Sequence, residues 1–215
     1  MCGIVGEFSP TVDRQVIARL TRMMARRGPD DEGLWVEPER CAFGFRRLAI
    51  LDLSPSGHQP MLTPDERWVM VFNGEIYNFR ELRGRLEAEG VRFRSSGDSE
   101  VLLPALVRWG KRALGELNGM FALALYDRQE RTLLIARDHA GIKPLYYLRH
   151  RDGLVFASQY NQIMAHPCSA DHPVSYPALA MYLEMGYIPA PYALLKDSAM
   201  LPPGANRVIY TRNHD

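Results

Sequence analysis

Cysteine at position 2 has more chemical potential than any other residue of this chain. Cells usually remove an initiator methionine that precedes a small residue, which would leave Cys2 with a free α-amine. Such an amine titrates near about pH 8 and is a usable base at neutral pH, while the thiol beside it is the strongest side-chain nucleophile available. Nucleophile and base on one residue need no histidine and no triad, by the logic of the N-terminal threonine variants. Gly3 leaves room for a substrate. The plain alternative is that Cys2 is the second residue of a buried strand, since free cysteines are commonly buried. Other chemistry-bearing residues read more simply. Asn73-Gly74 favours a type I′ hairpin turn, Asp98 or Ser99 suits a helix N-cap, and Arg47 by itself is a surface charge. His166, Cys168 and His172 in HPCSADH fit no common zinc spacing and read as a loop. Asp138, His139 and Lys143 in RDHAGIKPLYY read as a turn held by Asp138. No GxxxxGK[ST] loop occurs, so no cofactor is expected in this chain, ATP included.

The elements that must position these residues pair locally. Gly3 to Phe8 is an apolar run suited to a buried strand, and Ile17, Leu20, Met23 and Met24 recur at helical spacing before the Gly28-Pro29 break. Leu34 to Leu53 is strand-like and ends in SPSGHQP, and Arg67 to Phe72 is a further strand running into Asn73-Gly74. A surface helix follows with Phe79, Leu82 and Leu86 on one face and Gly90 as its stop, then a second from Asp98 or Ser99 to Trp109. Phe121 to Tyr126 with Thr132 to Ala136, and Pro144 to Leu148 with Leu154 to Ala157, read as hairpins. Helices do not alternate one per strand, so the expected class is α+β with antiparallel sheets. A last helical pattern, with Leu179, Tyr182 and Leu183, precedes the proline-rich IPAPY and LPPG.

Composition narrows the partners. The chain has 215 residues, 47% hydrophobic and 24% charged, and Lys plus Arg (26) nearly balance Asp plus Glu (25) for a net charge of +1. That balance lacks the cationic surplus by which proteins displace counterions from nucleic acid, and no apolar run approaches the roughly 18 residues of a spanning helix. Nucleic acid and membrane are therefore not expected as partners. The N-terminus has no basic region followed by an apolar one, and three scattered cysteines fit a reducing compartment, so the expected location is cytoplasmic.

Seven segments carry a resemblance. MCGIVGEF at 1–8, RRGPDDEG at 26–33, RRLAILDLSPSGHQPM at 46–61, FNGEIYN at 72–78, GDSEVLL at 97–103, NGMFALALYD at 118–127 and RDHAGIKPLYY at 137–147 occur in this order. Together they resemble the N-terminal glutaminase domain of glutamine-hydrolysing asparagine synthetase, a class II glutamine amidotransferase of the N-terminal-nucleophile (Ntn) hydrolase group. The resemblance implies a four-layer αββα sandwich of two antiparallel sheets. It implies a domain over 1–188 and a proline-rich connector over 189–215 toward a synthetase domain absent from this chain, where ATP and Mg would be used. For the site it implies L-glutamine as substrate, Cys2 as nucleophile, and an oxyanion hole from the Asn73 side chain and the Gly74 backbone N–H. Arg47 would hold the substrate carboxylate, Asp98 with Glu75 its ammonium, and Ile50 and Leu51 would make backbone contacts. The chain departs from the family's usual pattern at Arg26, Phe45, Gln159 and Asn161. These departures are expected to lie away from the matched substrate residues and to bear on coupling to a partner rather than on hydrolysis. The competing expectations are a non-catalytic glutamine-binding or regulatory module and a structural domain.

Overall fold

The computed structural model describes residues 1–49, 55–150 and 153–210. Its strands are β1 (Gly3–Phe8), β2 (Asp31–Glu37), β3 (Cys41–Arg47), β4 (Met61–Leu62), β5 (Trp68–Ile76), β6 (Gly119–Asp127), β7 (Thr132–Arg137), β8 (Tyr146–His150), β9 (Gly153–Ala157), β10 (Ser198–Met200) and β11 (Asn206–Tyr210). Its helices are α1 (Arg14–Met23), α2 (Phe79–Ala88), α3 (Asp98–Trp109), α4 (Arg112–Glu116), α5 (Tyr160–Ala165) and α6 (Tyr176–Met185). Two sheets result, one ordered β10-β8-β9-β1-β3-β2 and the other β11-β7-β6-β5-β4. Every pairing between these strands is antiparallel.

Side-chain alternation stacks the layers. In β1, Ile4 and Phe8 face the second sheet while Val5 faces α1; in β5, Val69 and Val71 face the first sheet while Met70 and Phe72 face α2 and α3. One apolar cluster therefore lies between the sheets, where the Phe8 and Tyr126 rings meet at 5.8 Å. A second cluster packs α2, α3 and α4 on the outer face of β5–β7, and a third packs α1 and α5 outside β1, β3 and β9. Helices, sheet, sheet and helices make the expected αββα sandwich.

The local differences have physical causes. The described part of the strand-like stretch, 34–49, belongs to a hairpin of β2 and β3 that turns at residues 38–40, and β5 runs on through Asn73 and Gly74 instead of turning there. Those two residues pair with Ala122 and Phe121 of β6, because the apolar alternation of β5 still has a facing strand to follow. Asp98 is the first residue of α3, not its cap: Gly97 holds the cap position, and the Asp98 carboxylate accepts from Ile76 N–H at 2.8 Å. Within 189–215, β10 adds an edge strand to the first sheet and β11 to the second. Leu201 between them is fully buried, and its carbonyl accepts from Arg137 at 2.6 Å.

Candidate active site

The same alternation that builds the core builds the site at its end. Cys41, Phe43 and Phe45 of β3 face the inter-sheet layer, so Arg47 is next in that series; Val69 and Val71 do so in β5, so Asn73 is next. Cys2 precedes Ile4 by one period of β1, and the pairing of Gly3 with Arg46, carried one step on, sets Cys2 opposite Arg47. Cys2, Arg47, Asn73, Gly74, Glu75 and Asp98 all line one solvent-open cleft of about 200 Å³. Residues 50 and 51, expected to contact substrate through their backbone, lie outside the described residues.

Cys2 is held on both sides. Its sulfur accepts from Leu48 N–H at 3.4 Å and lies 3.6 Å from the Leu48 carbonyl. Arg27 Nε donates to the Cys2 carbonyl at 3.0 Å, and the Met1 amine donates to the Arg27 carbonyl at 3.1 Å. Arg27 thus brackets the Met1–Cys2 peptide bond, a role the sequence does not announce beyond its place in RRGP. Burial lowers the amine's pKa below its ordinary value, and Arg27 and Lys143 add to this against the opposing pull of Cys2 and Asp30. The other thiols are chemically quieter. Burial raises Cys41 well above the usual thiol range, and burial followed by the Glu7 charge pushes Cys168 up to about 12.

Asn73 is 1% exposed, and its side-chain Nδ2 has no acceptor among the described residues. A buried donor left unsatisfied costs about 1–3 kcal/mol, and a donor kept at that cost in the cleft that also holds the Cys2 thiol has the chemistry to receive an oxygen that gains negative charge. Gly74 is required by a close approach: a Cβ there would collide with the Met120 carbonyl and lie 2.7 Å from the Phe121 Cα.

Charge is arranged across the cleft. Arg47 is 8% exposed and stretches over Gly57, where a Cβ would collide with its guanidinium. Asp98 offers a carboxylate that burial raises above its usual pKa, with the nearby Glu75 charge adding to the rise against hydrogen bonds from backbone N–H groups. A cation on one wall and a buried carboxylate on the other can fix both ends of an α-amino acid.

Phe45 corrects an expectation. It is buried and lines the cleft, so this departure from the family pattern forms an apolar wall of the site itself; Arg26, Gln159 and Asn161 do not line it. His166 bonds within the fold, Nε2 to Glu7 at 3.2 Å and Nδ1 accepting from Cys168 N–H at 3.2 Å. Gly57 and Gln59, whose sequence pattern carried no chemical signal, also line the cleft, as do Ser99 and Lys143, which had read as a cap and as part of a turn.

The family model described as glutamine amidotransferase domain matches residues 1–214. Asparagine synthetase [glutamine-hydrolyzing] 1 of Bacillus subtilis (strain 168) is 38% identical over 97% of this chain and 33% of its own length. Putative asparagine synthetase [glutamine-hydrolyzing] 2 of Methanocaldococcus jannaschii is 32% identical over 97% of this chain and 44% of its own length. The chain therefore spans about a third to under a half of these two relatives. Among solved structures, glutamine phosphoribosylpyrophosphate amidotransferase from B. subtilis superposes with a TM-score of 0.65 at 21% identity, over 76% of this chain and 43% of that one, which supports the fold. Sequence, sheet order and the family match converge: the chain belongs to the glutamine amidotransferase domain family.

Proposed function

We propose that this domain hydrolyses L-glutamine to L-glutamate and ammonia through a thioester on Cys2, supplying the ammonia for amide synthesis of the asparagine-synthetase type. The observation that carries the reading is the buried, unpartnered amide of Asn73 in the cleft that also holds Cys2. Once Met1 is removed, the Cys2 amine takes the thiol proton as sulfur attacks the side-chain amide carbon of glutamine. The Asn73 amide and the Gly74 N–H stabilise the oxyanion, and the amine passes its proton to the departing nitrogen. Water then cleaves the thioester and releases glutamate. Arg47 holds the substrate carboxylate, and Asp98 with Glu75 holds its ammonium.

The ammonia acceptor belongs to an ATP- and Mg-dependent synthetase part, on the same polypeptide or on a separate subunit. The greater length of the relatives supports this, and so does α6. Tyr176, Tyr182, Leu183 and Met185 of that helix are exposed and Ala178 alone is buried, an apolar surface suited to a protein partner. Free thiols at Cys2, Cys41 and Cys168 support a reducing, cytoplasmic setting.

Steady-state glutamate release tests the reading. Protein shown by intact mass to lack Met1 is expected to release glutamate, and the Cys2→Ala variant to fall to background; equal rates would overturn catalysis. Calorimetric heat of glutamine binding to Cys2→Ala distinguishes a surviving substrate clamp from a domain that binds nothing.

A further inference from the structure

Lys143 is a residue of the cleft to which the proposed reaction assigns no task. It is 6% exposed and closes the turn that follows β7. The wholly buried Asp138 carboxylate accepts from the backbone N–H groups of Phe121 at 3.2 Å, Ile142 at 2.9 Å and Lys143 at 3.0 Å, and Arg137 Nε donates to the Lys143 carbonyl at 2.7 Å. The turn is thereby fixed to β6, and Lys143 is delivered to the wall of the Cys2 cleft. Among the described residues its ammonium has no ion pair and no hydrogen bond. Lysines this little exposed are ordinarily paired, so one without a described partner in the cleft that holds Cys2 is placed to answer negative charge that exists only during reaction.

We propose that Lys143 is an electrostatic positioning residue of the nucleophile, its fixed positive charge opposing protonation of the Cys2 α-amine, the base through which the sulfur is activated. Lys143 keeps its own proton throughout: the proton that moves goes from sulfur to amine and then to the departing nitrogen. Met1 and Cys2 both line the cleft, so removal of Met1 leaves the new amine within it. The other charged groups lining the cleft are Arg47 from β3, Glu75 from β5 and Asp98 from α3, and Arg27 and Asp30 from the segment after α1 act on the Met1 amine. Asp30 already accepts from Ala49 N–H at 2.8 Å and Asp98 from Ile76 N–H, so neither carboxylate is devoted to Lys143. The Met1 amine, one residue ahead of that position, is lowered chiefly by burial, and Lys143 acts on it in the same direction. The proposal relies on glutamine hydrolysis for the identity of the reaction and not for the charge effect itself.

The test is the rate of Cys2 alkylation by iodoacetamide against pH, without glutamine, on protein lacking Met1, with Cys2→Ala as the blank for Cys41 and Cys168. Lys143→Met is expected to move the inflection up by about one pH unit, as loss of a nearby cation at intermediate dielectric requires, and Lys143→Arg to leave it within about half a unit. The acidic limb of kcat/KM for glutamine should move with it. Coincident profiles for wild type and Lys143→Met would overturn the proposal, as would a Lys143→Arg profile displaced by more than half a unit. Lys143→Gln, equally uncharged, carries the same expectation as Lys143→Met and decides in its place if the methionine variant fails to fold. A Lys143-dependent alkylation profile in protein that releases no glutamate would refute the proposed function and leave this inference standing.

Discussion

Asn73 and Asp98 do opposite things with a buried polar group, and each makes a separate forecast. Asn73 keeps a donor without an acceptor, so Asn73→Ala should lower kcat by about 100- to 1,000-fold, with little effect on KM, in steady-state glutamate release. Asp98 keeps a carboxylate whose pKa lies above the ordinary 3.8. A raised carboxylate pKa means the folded protein holds that proton more tightly than the unfolded chain, so this group's contribution to stability is present at low pH and lost as pH rises through the raised value. Binding of the substrate ammonium needs the ionised form, so KM should rise as pH falls through the same range. Asp98→Asn should raise KM by the equivalent of about 2–5 kcal/mol while thermal unfolding shows a Tm no lower than wild type at neutral pH. At this scale Cys2 was legible because its chemistry comes from its position in the chain. Asn73 and Asp98 were assigned only through the family resemblance, since Asn-Gly and Gly-Asp-Ser are by themselves also the local signatures of turns and caps. Only the facing strand β6 and the accepted Ile76 N–H distinguish those uses.

Elements convert an alternating pattern into a site, and the turns between them set its edges. Gly57 lies under Arg47, where an added Cβ would meet the movable end of the guanidinium rather than backbone. Gly57→Ala is therefore expected to displace Arg47 and raise KM for glutamine several-fold, with kcat and Tm nearly unchanged; glutamate-release kinetics and calorimetric melting check the split. The strands and long helices were readable because β1, β5 and β6 are apolar runs buried on both faces and bounded by turn residues, while α1, α2 and α3 carry a period of about 3.6. The short elements α4 and α5 and the strands β10 and β11 were missed. They hold five, six, three and five residues, too few for a period to show, and the two strands exist only because β8 and β7 offer an unpaired edge. Phe45 was misplaced for a related reason: nothing local says which end of β3 meets the cleft.

At the scale of the whole molecule, residues 198–210 finish both sheets at once. Ending the chain after Asp197 would strip β10 and β11 and unseat Leu201, so the shortened protein should lose cooperative melting and bind a hydrophobic dye strongly. The exposed side of α6 behaves differently, because it contributes little to this domain's own core. A double variant, Tyr182→Ser with Leu183→Ser, should keep wild-type glutamate release and Tm while showing less dye fluorescence and less self-association in sedimentation. β1 joins these observations to practice. It is a central strand, pinned by β3 on one side and β9 on the other, and its first residues open straight into the cleft. On the proposed mechanism, material purified on an affinity handle fused ahead of Met1 would fold, melt and crystallise like the native domain yet carry an acylated nitrogen where its base should be. A preparation judged by its folding alone would then pass for an inactive homologue, so handles belong at the other terminus and mass spectrometry should precede any assay of activity.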